Sequence, residues 1–155
     1  KNYSKILHLN CDYGFLLHDL KKINNKFKIF GTETSKFAIK NSMNDIKKSI
    51  SYIRPIDVKF KKNYFDLVVA LGVVYTLNLA DAMLLLKNIS YFSKNSFVTL
   101  ASYKTEEEKY LFEKWTLGGN LCLKREEWKQ IFKEAGYSGD YLFIDSNYLN
   151  LKLQK

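Results

Sequence analysis

Proline is nearly absent from this chain, glycine is sparse, and arginine is rarer still. One proline, Pro55, and seven glycines in 155 residues leave no Pro/Gly-rich linker and no low-complexity run. The length suits one domain with a full core, so residues 1–155 are expected to form a single unit. Two cysteines, Cys11 and Cys122, stand far apart and outside any metal-type spacing. No metal site is expected from them, and a reducing cytoplasm is the simplest setting. No uncharged apolar run is long enough to span a bilayer, so no membrane partner is expected. The Gly-x-Gly-x-x-Gly pattern is missing, which disfavours a dinucleotide dehydrogenase. The first residue is Lys1 rather than Met, so a segment ahead of it is expected to be missing.

What is abundant is lysine. Twenty-five basic residues against sixteen acidic ones give a net charge of +9. That charge fits a nucleic-acid partner. The lysines are spread along the chain, however, and arginine occurs only at Arg54 and Arg125. Solvated lysines on helix faces account for such a pattern better than base or phosphate recognition does. A nucleic-acid-binding module stays in view and is not favoured.

Residues 5–20 organise the rest. They read as a short buried strand, a tight turn at 11–14 and the start of a helix, which runs over about 14–23 with Leu16, Leu20 and Ile23 on one stripe. A second strand follows at 27–32. Ser35 then caps a helix whose buried face is Ile39, Met43, Ile46 and Ile50. A weaker strand at 51–54 is bounded by Pro55. Residues 65–71 form the clearest strand, an apolar run suited to the centre of a parallel sheet. Asn78 caps a helix with Ala82, Leu85, Leu86 and Ile89 inward, and 96–102 is a fifth strand. Thr105 and Glu108 form a capping box opening a helix to Trp115. Trp128, Ile131, Phe132 and Ala135 share one face of a helix over 124–135, which Gly136 ends. The alternation of Leu149, Leu151 and Leu153 after a turn at 145–147 predicts an antiparallel closing pair, 141–144 with 148–153. Strands alternating with helices predict a mostly parallel sheet covered on both faces.

Four stretches in this order resemble class I S-adenosylmethionine-dependent methyltransferases. Ile6-Leu-His-Leu-Asn-Cys-Asp-Tyr-Gly14 resembles the glycine-rich first motif. Phe30-Gly-Thr-Glu-Thr-Ser35 resembles the end of the second strand with its acid. Phe65-Asp-Leu-Val-Val-Ala-Leu-Gly-Val-Val-Tyr-Thr-Leu77 resembles the fourth strand and its turn. Glu126-Glu-Trp128 through Glu134-Ala-Gly-Tyr137 resembles the late helix. The resemblance implies an α/β fold: a Rossmann-like three-layer αβα sandwich. Its sheet would have seven strands, mostly parallel, in the order 3-2-1-4-5-7-6 with the last antiparallel.

The resemblance also implies S-adenosylmethionine as cofactor, lying across the ends of strands 1, 2 and 4. Glu33 would accept the ribose hydroxyls, with Thr34 beside it. Asn10, Cys11, Asp12 and Gly14 would bring backbone to the methionine part. Ala70, Leu71 and Gly72 would approach through backbone atoms, and Arg54 and Asp57 would flank the adenine. The family's motif-I acid is His8 here, and its first two glycines are Asn10 and Asp12. Asn and Asp tolerate positive φ, so the turn is expected to survive. These departures define the alternative, a methyltransferase-like domain that keeps the sheet without the cofactor.

No catalytic base is legible. Tyr75, Tyr103, Lys104 and Trp115 follow strands 4 and 5, where an acceptor should enter. An Asn-Pro-Pro-Tyr type motif is missing after strand 4; the chain has Leu71-Gly-Val-Val74. A small-molecule acceptor, a sugar or another metabolite, is therefore expected ahead of RNA or DNA.

Overall fold

A computed structural model describes residues 4–152. Its chain order is β1 (Lys5–His8), α1 (Phe15–Ile23), β2 (Lys28–Glu33), α2 (Lys36–Lys40), β3 (Ile50–Tyr52), β4 (Leu67–Ala70) and α3 (Leu79–Phe92). There follow β5 (Ser96–Tyr103), α4 (Glu106–Trp115), β6 (Leu123–Lys124), α5 (Arg125–Ala135) and β7 (Asp140–Ile144). The seven strands form one sheet in the order β3-β2-β1-β4-β5, with β6 and β7 both paired to β5. Every strand pair among the described residues is parallel.

Side chains alternate along a strand, so β1 divides its residues between two faces. Leu7 and Leu9 join the larger core, where Leu85, Leu86 and Ile89 of α3 and Trp128 and Phe132 of α5 cover the sheet. The Trp128 indole N–H donates to the Ala101 carbonyl at 2.7 Å, so this large ring is buried without an orphaned donor. A smaller core lies around α1, where Leu17 meets Cys11, Ile29, Ile46 and Ile50. Each fully buried Leu or Ile contributes about 1.5–3 kcal/mol relative to exposure.

The α/β architecture and the 3-2-1-4-5 order agree with the sequence reading. Among the described residues the antiparallel closing pair does not form. Residues 145–152 turn instead, because Asp145 holds the chain locally. Its carboxylate accepts the Tyr148 N–H at 2.8 Å, its carbonyl accepts the Leu149 N–H, and the Ser146 carbonyl accepts the Leu151 N–H. These bonds use donors that a strand ladder would need. β7 takes the place beside β5, with Phe97 opposite Asp140 through Ala101 opposite Ile144. Leu153 lies outside the described residues.

Two helices also differ from expectation. In α1 the fully buried residue is Leu17, whereas Ile23 is exposed and Leu16 and Leu20 are half-buried. The helix meets the sheet through the side between the apolar stripe and its neighbours. The helix after Ser35 stops at Lys40. Asn41 Nδ2 donates to the Phe37 carbonyl and Ser42 Oγ donates to the Ile39 carbonyl, which satisfies the last turn and ends it. Ile46 and Ile50 still reach the core, from a turn and from β3.

Candidate functional site

The C-terminal ends of β1, β2 and β4 meet around one turn. Three residues in it have left-handed backbone: Asn10 (φ 54°), Asp12 (φ 51°) and Gly14 (φ 77°). The turn therefore keeps a glycine-type path, with Asn and Asp tolerating positive φ at two positions. Gly14 is the one that could not be replaced easily. A Cβ there would run into Ile46 Cδ1 and lie 3.2 Å from Ile50 Cδ1. Its role is close approach to the protein's own core beneath α1.

Glu33 holds the turn in place. It is 4% exposed at the end of β2. One carboxylate oxygen accepts the Asp12 N–H at 2.8 Å. The other accepts the Thr34 and Ser35 N–H groups at 2.7 and 2.8 Å. A carboxylate offers about four lone-pair sites, so three donors leave one, on the oxygen facing Asp12. The Asn10 N–H donates to Thr32 Oγ1 and the Cys11 N–H to the Thr32 carbonyl, completing the anchorage to β2.

The side chains of the turn diverge. Cys11 points into the core, and burial together with Glu33 pushes its thiol up to about 12, so it stays protonated. Asp12 is exposed, and burial of its carboxyl and the nearby Glu33 charge raise its pKa. His8 is 6% exposed, with both ring nitrogens buried and without a hydrogen-bond partner. Burial lowers its pKa to about 4, against an opposing pull from Glu33, so the ring is neutral near pH 7.

A cleft of about 180 Å³ opens beside the turn. Asn10, Thr34, Arg54, Pro55, Ile56, Val73, Thr76, Leu77 and Asp81 line it. Pro55, Ile56, Val73 and Leu77 make an apolar wall. Asn10, Thr34 and Asp81 supply acceptors. Arg54, the one cation lining the cleft, is held by Asp57 through two bonds of 2.6 and 3.0 Å. The volume is below the roughly 300 Å³ at which small-molecule pockets usually begin. The Asn10 side chain narrows the cleft where a glycine would leave space, and Thr34 Oγ1 lies 3.4 Å from Asn10 Oδ1.

The structure thus brings together Asn10, Thr34 and Arg54 on the cleft wall, with His8 and Glu33 buried near the turn. Ala70 is fully buried, Leu71 is exposed, and Gly72 (φ 69°) donates its N–H to Thr99 Oγ1 at 2.7 Å. Tyr75 stands close by: its hydroxyl is 3.6 Å from where a Gly72 Cβ would be. The ring packs edge-on against Phe112, and burial raises its pKa. Trp115 is half exposed and packs on Phe112. Tyr103 and Lys104 do not line this cleft; they border a separate recess at the end of β5. Thr76 and Asp81 were not anticipated. The sequence signal for Asp81 was Asn78 three residues earlier: Asn78 Oδ1 accepts the Asp81 N–H at 2.9 Å, placing Asp81 in the first turn of α3 at the strand-4 end. Among the described residues no three His, Cys, Asp or Glu side chains converge as a metal site would require.

No protein-family model matches the sequence, and no curated protein matches it. Solved structures match the fold. A chain from the complex between the Haloferax volcanii Trm112 methyltransferase activator and a methyltransferase superposes with TM-score 0.65 at 17% identity. That match covers 86% of this chain and 61% of the other. A SAM-dependent methyltransferase from Archaeoglobus fulgidus gives TM-score 0.66 at 18% identity, covering 88% and 62%. The [4+2]-cyclase SpnF gives 0.68 at 16% identity, covering 86% and 50%. The chain has the Rossmann-like fold of class I methyltransferases and spans about half to three-fifths of the length of these structures.

Proposed function

We propose that the cleft binds S-adenosylmethionine and that the chain directs methyl transfer to a small-molecule acceptor. The carrying observation is the cleft's composition. An apolar wall of Pro55, Ile56, Val73 and Leu77 suits a flat base. Asn10 and Thr34 offer polar atoms to ribose; Glu33 lies behind this wall, 4% exposed, with one lone pair still open. Asp81 supplies negative charge where Arg54 is already neutralised by Asp57, which favours a cationic ligand. A cyclase among the fold neighbours shows why the fold alone does not name the reaction.

The bound cofactor would supply an electrophilic methyl group. The chain's part is position: the apolar wall of Pro55, Ile56, Val73 and Leu77 would exclude water, and the Tyr75 hydroxyl, close to Gly72 at the strand-4 end, would offer a polar contact to the acceptor. The rival reading is a methyltransferase-like domain without cofactor, favoured by the narrow cleft and by the three N–H groups already on Glu33.

Calorimetric titration with S-adenosylmethionine separates the two. Saturable heat is expected, weakened about tenfold in Asp81→Asn and in Thr34→Val. Absence of binding at millimolar ligand would overturn the proposal and leave the cofactor-free domain.

A further inference from the structure

We propose that the recess at the ends of β5 and β6 binds the phosphate of a small phosphorylated molecule. The recess measures about 350 Å³ and is lined by Tyr103, Lys104, Lys124, Arg125 and Glu126. Tyr103 is largely buried beside it. Two ammonium groups sit over that ring, Lys109 at 5.4 Å and Lys124 at 6.0 Å from its centroid, so the aromatic face gathers cations here. Among the described residues neither the Lys104 nor the Lys124 ammonium lies in an ion pair. Arg125 extends one terminal nitrogen to Asp145 at 3.1 Å and lies over the Phe143 ring; its Nε is buried without an acceptor, so what it gives the recess is mainly charge.

The N-terminus of α5 opens on the same recess. Its N-cap position is Lys124, which has no acceptor to offer; the Glu127 carboxylate accepts the Lys124 N–H at 2.7 Å, and the N–H groups of Arg125 and Glu126 remain for a ligand. Helix N–H groups, two free ammoniums and a guanidinium together form a donor set matched to a phosphate monoester. Acids border the recess as well: Glu126 lines it, Glu127 holds the Lys124 N–H, and Glu108 accepts the Lys104 N–H at 2.6 Å, with Glu106 and Glu107 beside it. They oppose a long polyanion, so a single phosphate on a small molecule fits better than RNA.

The recess also stands in a useful place relative to the cleft. Val98 pairs with Ala70, and Tyr103 lies five residues further along β5. At about 3.3 Å per residue, Tyr103 is roughly 10 Å beyond the level of Gly72. The chain from α4 to β6 is tied to the cleft as well: the Asn120 and Leu121 N–H groups donate to the Tyr75 carbonyl, and Asn120 Nδ2 to the Thr76 carbonyl. A phosphorylated metabolite of a few carbons would bridge this distance. That it is the methyl acceptor rests on the function proposed above; the phosphate site itself does not.

Amide chemical-shift mapping with inorganic phosphate and with glycerol 3-phosphate, at constant ionic strength, tests the site. Saturable shifts are expected at Tyr103, Lys104, Arg125 and Glu126, with affinity reduced roughly fivefold in Lys104→Gln and in Lys124→Gln. The same spectra report whether each variant stays folded. Shifts that do not saturate, that spread over the lysine surface, or that survive both substitutions would overturn the site. Shifts at the recess from a short RNA, with none from the monoester, would overturn the small-molecule assignment. S-adenosylmethionine is titrated in parallel. Its failure to bind alongside saturable phosphate shifts would remove the cofactor reading and leave the phosphate site standing.

Discussion

His8 is the residue at which this chain departs most from a well-satisfied interior. A buried imidazole with both nitrogens unpartnered costs desolvation with no hydrogen bond in return. Its pKa is about 4 in the folded protein, below the ordinary value of 6.5. Between those values the unfolded chain takes up a proton that the folded one refuses. Stability should therefore be unaffected by His8 above pH 6.5, fall as the pH drops toward 4, and then level off. At about 1.36 kcal/mol per pH unit the full loss is on the order of 3 kcal/mol. Urea unfolding of the wild type and His8→Leu at pH 7.5 and 5 checks this. The leucine variant should gain relative to the wild type at pH 5, and equal changes in the two proteins would refute the account. Other residues of the first motif act through backbone. Asn10 and Asp12 reproduce the glycine path by accepting positive φ, while Gly14 answers to Ile46 and Ile50. The resemblance to the family's first motif pointed to these positions. It could not show that Glu33 is already engaged by the Asp12 N–H, because that bond joins residues 21 positions apart.

At the scale of elements, burial periodicity was more legible than helix extent. The stripe Ile39, Met43, Ile46 and Ile50 reads as one helix, and all four residues do turn inward to some degree. Asn41 and Ser42 cap α2 after five residues, and Ile46 is fully buried from a turn. Substituting Ile46 should therefore cost as much as a core residue in a helix would. Ile46→Ala is expected to lose about 2–4 kcal/mol, and Ile39→Ala, half-buried, clearly less. Chemical denaturation measures both; a smaller loss at Ile46 would place the smaller core elsewhere. The closing segment shows the same lesson in strand form. Alternation in 148–153 is real, yet the Asp145 turn captures the donors that pairing would have used. The helices with strong local signals came out as read: Asn78, Thr105 and Gly136 bound α3, α4 and α5 where their chemistry predicts.

For the whole molecule, a charge of +9 with dispersed lysines predicts weak, sequence-independent attraction to nucleic acid. Binding to a short RNA should fall by orders of magnitude between about 50 and 200 mM salt. Salt-resistant binding would instead indicate a built RNA surface. Among the described residues no helix is long and apolar enough to cross a membrane. The sequence by itself determined the α/β alternation, the central strand and the turn that gathers the cleft, because periodicity, capping residues and apolar runs act over a few neighbours. Tertiary structure alone decided the place of β7, the break in α2, the closing of Glu33 onto the turn, and the placing of Asp81 and Asn10 on the walls of one cleft. Each of those depends on hydrogen bonds or contacts between residues distant in sequence, or on two local options whose balance only the packed sheet settles.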